Sequence, residues 1–321
     1  MKKKLLFIAP GYYGFNDVVF KGLVKYSDYN VIHINSTAAY QYKNFLEKVY
    51  NFFLKTFLRK NIKHIKKGEH IKNIINNAEY DLLLINRPDV LSDENLQSAI
   101  KRSKFSIVLF WDSIEKIPEQ KNYIQPFDIC FSFDSSDCKN YNLKYITNFY
   151  FIKNKSKQIN YDISYLATSD DRMPETVQLF NYFLENNISA KGKIFTYKSR
   201  PIKEKLPTTI EVINETIPFS ESYKYYLDSK IILDIAHPHQ KGLSFRPYEA
   251  IGLNKKLITT NEEIVKYDFY NPENILIIKD SNNFSIPKSF IESEYLEPDQ
   301  QIKEKYYIKN WINIILSAYE K

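Results

Sequence analysis

At 321 residues the chain is too long for one typical domain and about right for two of roughly 150. Its 44% hydrophobic content can bury a sizeable core, and 45 Lys and Arg against 38 Asp and Glu leave +7, an excess that suits phosphates or anionic lipids without demanding nucleic acid. Cys130 and Cys138 are too few for a disulfide framework and lack metal-site spacing, which fits a reducing cytoplasm, and no stretch is long and apolar enough to cross a bilayer.

The N-terminus MKKKLLFIAP has a basic start and then a short apolar run, residues 5–9, bounded by Pro10 and Gly11. That is the pattern of a parallel strand buried on both faces. A loop, PGYYGFND, and a helix follow. The same strand signature returns at 31–34, 82–85, 106–110, 129–133 and 145–146. Strands separated by helical stretches imply right-handed βαβ units. The Lys-rich run 153–160 interrupts the pattern and reads as a linker, dividing the chain into domains 1–155 and 156–300. A second alternating series then starts with a strand at 163–167 and a helix at 173–186 carrying Val177, Phe180 and Leu184 on one face. Strands at 193–197, 231–235, 256–259 and 275–278 follow, with helices at 220–228 and after Ser244. Ile308, Trp311, Ile312, Ile315 and Tyr319 lie at helical spacing, so residues 301–321 are expected to pack back toward the N-terminal domain.

The segment 231–261, IILDIAHPHQKGLSFRPYEAIGLNKKLITTN, holds two of only seven glycines, Gly242 and Gly252. A strand that ends in a glycine-containing loop and opens a helix points backbone N–H groups at whatever sits above the sheet edge, and such a site favours anions. Ser244 is a fitting N-cap and Pro247 falls in the first turn, so the helix should start at about Phe245. Arg246 and Glu249, three residues apart, then share a face. Together they offer a bidentate donor for a diphosphate and an acceptor-only carboxylate for two adjacent hydroxyls, the pair a nucleotide-sugar requires. The plainer alternative is an exposed ion pair between them contributing under about 1 kcal/mol.

Loops at the C-terminal edge of a parallel sheet are where ligands bind. Gly11, Tyr12, Tyr13 and Gly14 in the first βα loop form an acceptor-side candidate. Asp17 is there a candidate general base or a helix cap. Asp112, after the run SIVLFW, is its equal rival, and Trp111 beside it can stack on a sugar or fill an interface. His237 and His239 form an HxH beyond a strand end, where either can touch a donor phosphate. A metal there is weakly signalled, because Asp234 is expected to point into the sheet. In the run 169–172, Arg172 can meet phosphate while Asp171 caps the next helix. The densest basic run, KTFLRKNIKHIKKGEHIK, begins at Lys55 and ends at Lys72 beside Phe52, Phe53 and Phe57. It suits an anionic leaflet or a solvated helix face, with no nucleic-acid motif accompanying it.

The run KGLSFRPYEAIGLNKKLITTN, with LDIAHPHQ before it and YDFYNPENILII after it, resembles the donor-binding region of GT-B glycosyltransferases, most of all bacterial lipopolysaccharide and capsule transferases. The likeness covers the C-terminal half, and the N-terminal half only in layout. It implies an α/β fold of two Rossmann-like domains with parallel sheets facing across a cleft. Donor would bind through Gln240, Gly242, Leu243, Ser244, Arg246 and Glu249, and acceptor on the N-terminal domain. The implied reaction moves a sugar from a nucleotide-sugar to a hydroxyl of a lipid-linked or surface glycan at the inner membrane face, with no cofactor and no essential metal. No aspartates are spaced as the DxD of the metal-dependent GT-A class. The family's retaining motif of two glutamates eight apart is broken, since Lys241 stands eight before Glu249. A GT-B epimerase or hydrolase of nucleotide-sugars and a non-catalytic glycan-binding scaffold are the alternatives.

Overall fold

Short runs that are apolar on both faces build one parallel sheet in each half of the chain. The computed structural model describes residues 2–153, 155 and 157–320. The first sheet contains β1 (Lys4–Ala9), β2 (Asn30–Asn35), β3 (Leu82–Asn86), β4 (Ser106–Phe110), β5 (Ile129–Ser132) and β6 (Lys144–Tyr145), in the order β2-β1-β3-β4-β5-β6. The second contains β7 (Tyr161–Thr168), β8 (Ala190–Phe195), β9 (Ile210–Ile213), β10 (Ser229–Asp234), β11 (Lys256–Thr259) and β12 (Ile275–Ile277), in the order β12-β11-β10-β7-β8-β9. Every pairing is parallel, as in Leu5 with Leu82 and Ile231 with Ile163. All residues of β3 and β4 are buried, because helices cover both sheet faces. The strand order reverses between β1 and β3 and between β7 and β10, the two places where such sheets open a crevice at their C-terminal edge.

The helices are α1 (Phe15–Tyr26), α2 (Phe45–Leu58), α3 (Ile62–Asn76), α4 (Asp93–Lys101), α5 (Ser135–Tyr141), α6 (Met173–Glu185), α7 (Phe219–Tyr226), α8 (Arg246–Leu253), α9 (Lys288–Glu292), α10 (Gln300–Lys305) and α11 (Ile308–Glu320). In α11, Ile308, Trp311, Ile312 and Ile315 share one core cluster with Leu5, Phe7, Val19 and Leu23 of the first domain. Trp311 Nε1 donates to the Thr147 carbonyl at 2.8 Å.

Several expectations shift. The strand expected at 193–197 starts at Ala190, because Gly192 continues it where a Cβ would lie 2.9 Å from Phe180 Cζ. The edge strand β9 was not expected; only Ile210 of its four residues is buried, so it leaves little apolar signal. Helix α6 buries Met173, Thr176, Leu179, Phe180 and Phe183, while Leu184 is exposed, so its inward stripe is rotated from the expected one. The basic run 55–72 is not one helix: Arg59, at φ 53°, separates α2 from α3. Within the linker 153–160, Asn154 and Ser156 lie outside the described residues, as do Met1 and Lys321 at the chain ends.

Candidate functional site

A cavity of about 570 Å³ lies between the facing C-terminal edges of the two sheets. The β1–α1 loop and the ends of β3 and β4 line one side, and the end of β7, the loop after β10 and the start of α8 line the other.

On the second-domain side the arrangement starts from Asp234, the last residue of β10, which is 1% exposed. Its Oδ1 accepts from Ser244 Oγ at 2.8 Å and Arg246 Nη1 at 3.2 Å, and its Oδ2 accepts from Thr259 Oγ1 at 2.9 Å. Asp234 therefore holds the cavity wall together and does not simply point into the sheet. Ser244 Oγ also accepts from the Arg246 N–H at 3.2 Å, so one hydroxyl ties the start of α8 to the end of β10. Arg246 Nε and Nη2 donate to the Leu166 carbonyl at 3.1 and 2.7 Å, and its guanidinium lies 5.3 Å from the Tyr165 ring centre. Its N–H groups are thus held by its own domain, through Asp234 and Leu166 and a further hydrogen bond with Tyr226. Arg246 is a cation fixed at the cavity wall, and its ion pair is with Asp234, not Glu249.

Glu249, one turn on, is 5% exposed and accepts from Ser222 Oγ at 2.7 Å. Burial raises its carboxyl to about 7, against the pull of Ser222 and the Arg246 charge. Because the folded value lies above the ordinary 4.5, the contribution to stability is fully present below pH 4.5 and is lost as pH rises through 7. Stability should therefore fall by about 3 kcal/mol from this group between pH 5 and 8. In Glu249→Gln, which keeps an acceptor for Ser222, that part of the decline should vanish. Urea midpoints of both proteins at pH 5 and 8 test this, and parallel declines would refute it.

The loop 239–243 departs most from expectation. The N–H groups of Lys241 and Gly242, expected to cradle a phosphate, both donate to Asp134 Oδ2, at 2.8 and 3.2 Å. Asp134 belongs to the first domain, is 2% exposed, and caps α5 through its other oxygen. A carboxylate of the protein itself thus takes the anion position. Asn148 Nδ2 donates to the Leu243 carbonyl at 2.9 Å, Ser113 Oγ to the His239 carbonyl at 2.6 Å, and Gln240 Nε2 to Asp112 Oδ1 at 3.2 Å. A Cβ on Gly242 would lie 2.4 Å from Phe133 Cδ2 and 2.5 Å from the Phe133 carbonyl oxygen. Gly242 is needed for close approach of the two domains, and Leu243 is a core residue at 1% exposure.

Of the other candidates, Tyr12, Tyr13, Asp112, Arg172 and Gln240 line the cavity. Gly11, Gly14, Asp17 and His237 are not among the lining residues; Asp17 is exposed on the outer side of α1. The Gly11 N–H donates to Thr37 Oγ1 at 2.8 Å. Asp112 accepts from Lys116 Nζ at 2.7 Å and lies 3.7 Å from Arg87 Nη1. Arg172 is gripped by Asp170 at 2.6 to 3.1 Å and donates to the Ile235 carbonyl, and Asp170 rather than Asp171 accepts from the Arg172 N–H. Nδ1 of His237 accepts from the His239 N–H, and burial and Lys116 hold its ring below the ordinary value. Trp111 packs edge-on against Phe245 at 5.7 Å and tilted against Trp311 at 6.0 Å, which is the interface-filling role.

Sequence reasoning missed Asn16 in the first turn of α1, Asn86 at the end of β3 and Asn148 in the segment after β6, which are buried and line the cavity. Asn16 Oδ1, Asn86 Nδ2, Asn148 Oδ1 and Trp111 Nε1 have no hydrogen-bond partner among the described residues. Unpartnered buried polar atoms are uncommon and call for a ligand or water. An isolated Asn carries no signal in a sequence as rich in Asn as this one.

Two Rossmann-like domains of parallel strands, facing each other across a cavity at their switch points, define the GT-B fold. No protein-family model matches the chain, and no curated protein matches it. Among solved structures it is similar to a glycosyltransferase from Rickettsia africae, with 12% identity and a TM-score of 0.55 over 99% of this chain and 98% of that one. It is also similar to the DNA-modifying enzyme β-glucosyltransferase, with 11% identity and a TM-score of 0.52 over 99% and 100%. UDP-GlcNAc 2-epimerase from Methanocaldococcus jannaschii aligns at 13% identity with a TM-score of 0.49 over 98% and 99%. At these identities the likeness is one of fold.

Proposed function

We propose that the protein is a glycosyltransferase that moves a sugar from a nucleotide-sugar to a hydroxyl of a lipid-linked or surface glycan, as in lipopolysaccharide, O-antigen or capsule assembly at the inner membrane face. The observation that carries this reading is Arg246, anchored by Asp234 and Leu166 beside Glu249 at the cavity of a GT-B fold. The β-glucosyltransferase of similar fold has uridine diphosphoglucose as its substrate, which supports a diphosphate donor here.

In this reading the bond between the sugar and the diphosphate oxygen breaks, and the charge that develops on the diphosphate meets the positive charge of the Arg246 guanidinium. A fixed cation in a buried wall needs no reorganisation at that moment. Glu249 takes the ribose hydroxyls. The acceptor hydroxyl attacks the sugar, and its proton passes to Asp112, the candidate base that lines the cavity. The unpartnered atoms on the first-domain side are two acceptors, Asn16 Oδ1 and Asn148 Oδ1, and two donors, Asn86 Nδ2 and Trp111 Nε1. That mixture suits the hydroxyls of a sugar acceptor, each of which both donates and accepts. No cofactor and no metal enters the proposal.

Thermal unfolding with UDP-, GDP-, dTDP- and CMP-sugars tests it, since a ligand at 100 times its dissociation constant stabilises by about 2.7 kcal/mol. One of them should raise the midpoint. A shift with none would favour a glycan-binding scaffold, and product formed from donor alone would indicate an epimerase or hydrolase. Asp112→Asn should keep the donor shift and lower transfer by about 10²- to 10⁴-fold; unchanged transfer would remove Asp112 as the base.

A further inference from the structure

Helix α2 turns its apolar side outward. Of its 14 residues only Asn51 and Leu54 are buried, while Phe45 and Phe57 are 75% and 73% exposed and Leu46, Tyr50, Phe52, Phe53 and Leu58 are exposed with them. A helix on a protein surface normally faces its apolar stripe to the core. Here the inward position belongs to Asn51, whose side chain accepts from the Ile62 N–H at 2.7 Å and donates to Tyr42 Oη at 2.6 Å. The outward rings touch one another, Phe52 and Phe53 at 5.9 Å and Phe53 and Phe57 at 6.1 Å, so they form a connected patch. An exposed connected apolar patch marks an interaction surface.

The charge around the patch identifies its partner. Residues 43–72 carry nine Lys or Arg against Glu47 and Glu69, which is the whole +7 of the chain; the other residues balance. Lys48, Lys55, Arg59 and Lys60 are exposed and have no ion-pair partner among the described residues. No helix of the described residues is long and apolar enough to cross a membrane, so α2 would lie on a surface. A protein partner would need acidic and apolar groups at matching spacing, whereas an anionic lipid leaflet offers both at every position.

We propose that α2 docks the protein on an anionic lipid surface. Phe45, Phe53 and Phe57 enter the boundary between headgroups and acyl chains, and Lys55, Arg59 and Lys60 meet lipid phosphates. The inserting element is thus 45–58, with α3 supplying further charge, rather than the basic run 55–72 that stands out in the sequence. Asn35, at the end of β2, lies against Gly11 in the loop beside the cavity. The chain therefore leaves for α2 at the edge where the cavity opens, which suits an acceptor presented from the membrane. That last link rests on the glycan-transfer reading; lipid binding itself does not.

Flotation of the full-length protein with phosphatidylcholine vesicles, with and without phosphatidylglycerol, tests the proposal without donor or acceptor. Binding is expected to the anionic vesicles only and to weaken as salt is raised. Phe53→Ser/Phe57→Ser and Lys55→Gln/Arg59→Gln/Lys60→Gln should each weaken it at least about tenfold while keeping the native unfolding midpoint. Failure to float with anionic vesicles, or equal flotation of both variants, overturns it. Sedimentation that shows a dimer dissociated by Phe53→Ser/Phe57→Ser, with no flotation, would make the patch an interface between copies instead. Loss of the nucleotide-sugar shift with flotation intact would sink the transferase reading and leave this one standing.

Discussion

Arg246→Ala is expected to abolish nucleotide-sugar binding and to destabilise the second domain by about 3–5 kcal/mol. Asp234 is 1% exposed and Arg246 is its counter-charge, so truncating the arginine leaves a buried carboxylate with only the hydroxyls of Ser244 and Thr259. The Leu166 carbonyl loses two donors in the same change. Removing one partner of a buried charge pair costs far more than the pair itself contributes. Because destabilisation alone could mimic loss of binding, Arg246→Met with Asp234→Asn separates the two effects. An amide keeps an acceptor for one of the two hydroxyls and can donate to the other, without the charge, so the double variant should regain much of the lost stability while donor affinity stays absent. Urea unfolding and calorimetric titration with the nucleotide-sugar read the two quantities. Wild-type donor affinity in either variant would show that Arg246 is a structural cation only. Arg246→Lys should be intermediate in stability and weak in binding, since an ammonium cannot supply the planar fork.

Gly242→Ala is expected to destabilise the protein by about 1–3 kcal/mol through overpacking at the domain interface. The Phe133 ring, 2.4 Å from the new Cβ, can rotate away, but the Phe133 carbonyl oxygen at 2.5 Å belongs to the backbone. The loop must therefore retreat, which stretches the two N–H bonds to Asp134 and the bond from Asn148 to the Leu243 carbonyl. Amide exchange should accelerate at Lys241 and Gly242 as the domains loosen. If the glycine served phosphate instead, the variant would lose donor affinity with its unfolding midpoint and exchange rates unchanged. The two roles thus give opposite results in the same pair of measurements.

The strands β1, β3, β4 and β10 were legible because a strand buried on both faces must be apolar at nearly every position. The start of α8 was legible from Pro247 in its first turn; Ser244, expected as the N-cap, stands one residue before the actual N-cap Phe245, and its hydroxyl joins Asp234 to the Arg246 N–H instead. Strand β9 was not, because an edge strand with one buried residue leaves no such run. The site was half legible. That Arg246 and Glu249 stand at a cavity follows from their place after β10, but the partner of each came from elsewhere: Asp234 and Leu166 for one, Ser222 for the other. The glycine loop was recognised as an anion site, yet the anion it holds is Asp134, 108 residues away.

The sequence by itself determined two alternating α/β halves, the strand-to-helix turn that carries Arg246, and the basic character of residues 55–72. These follow from periodicity, capping and composition, which act over a few neighbouring residues. Only the tertiary structure decided that Gly242 serves the domain interface, that Asp112 rather than Asp17 reaches the cavity, that Glu249 is buried enough to titrate near neutrality, and that α2 faces its rings outward. Each depends on which distant surfaces meet, and burial and close approach are properties of the packed chain that no local pattern encodes.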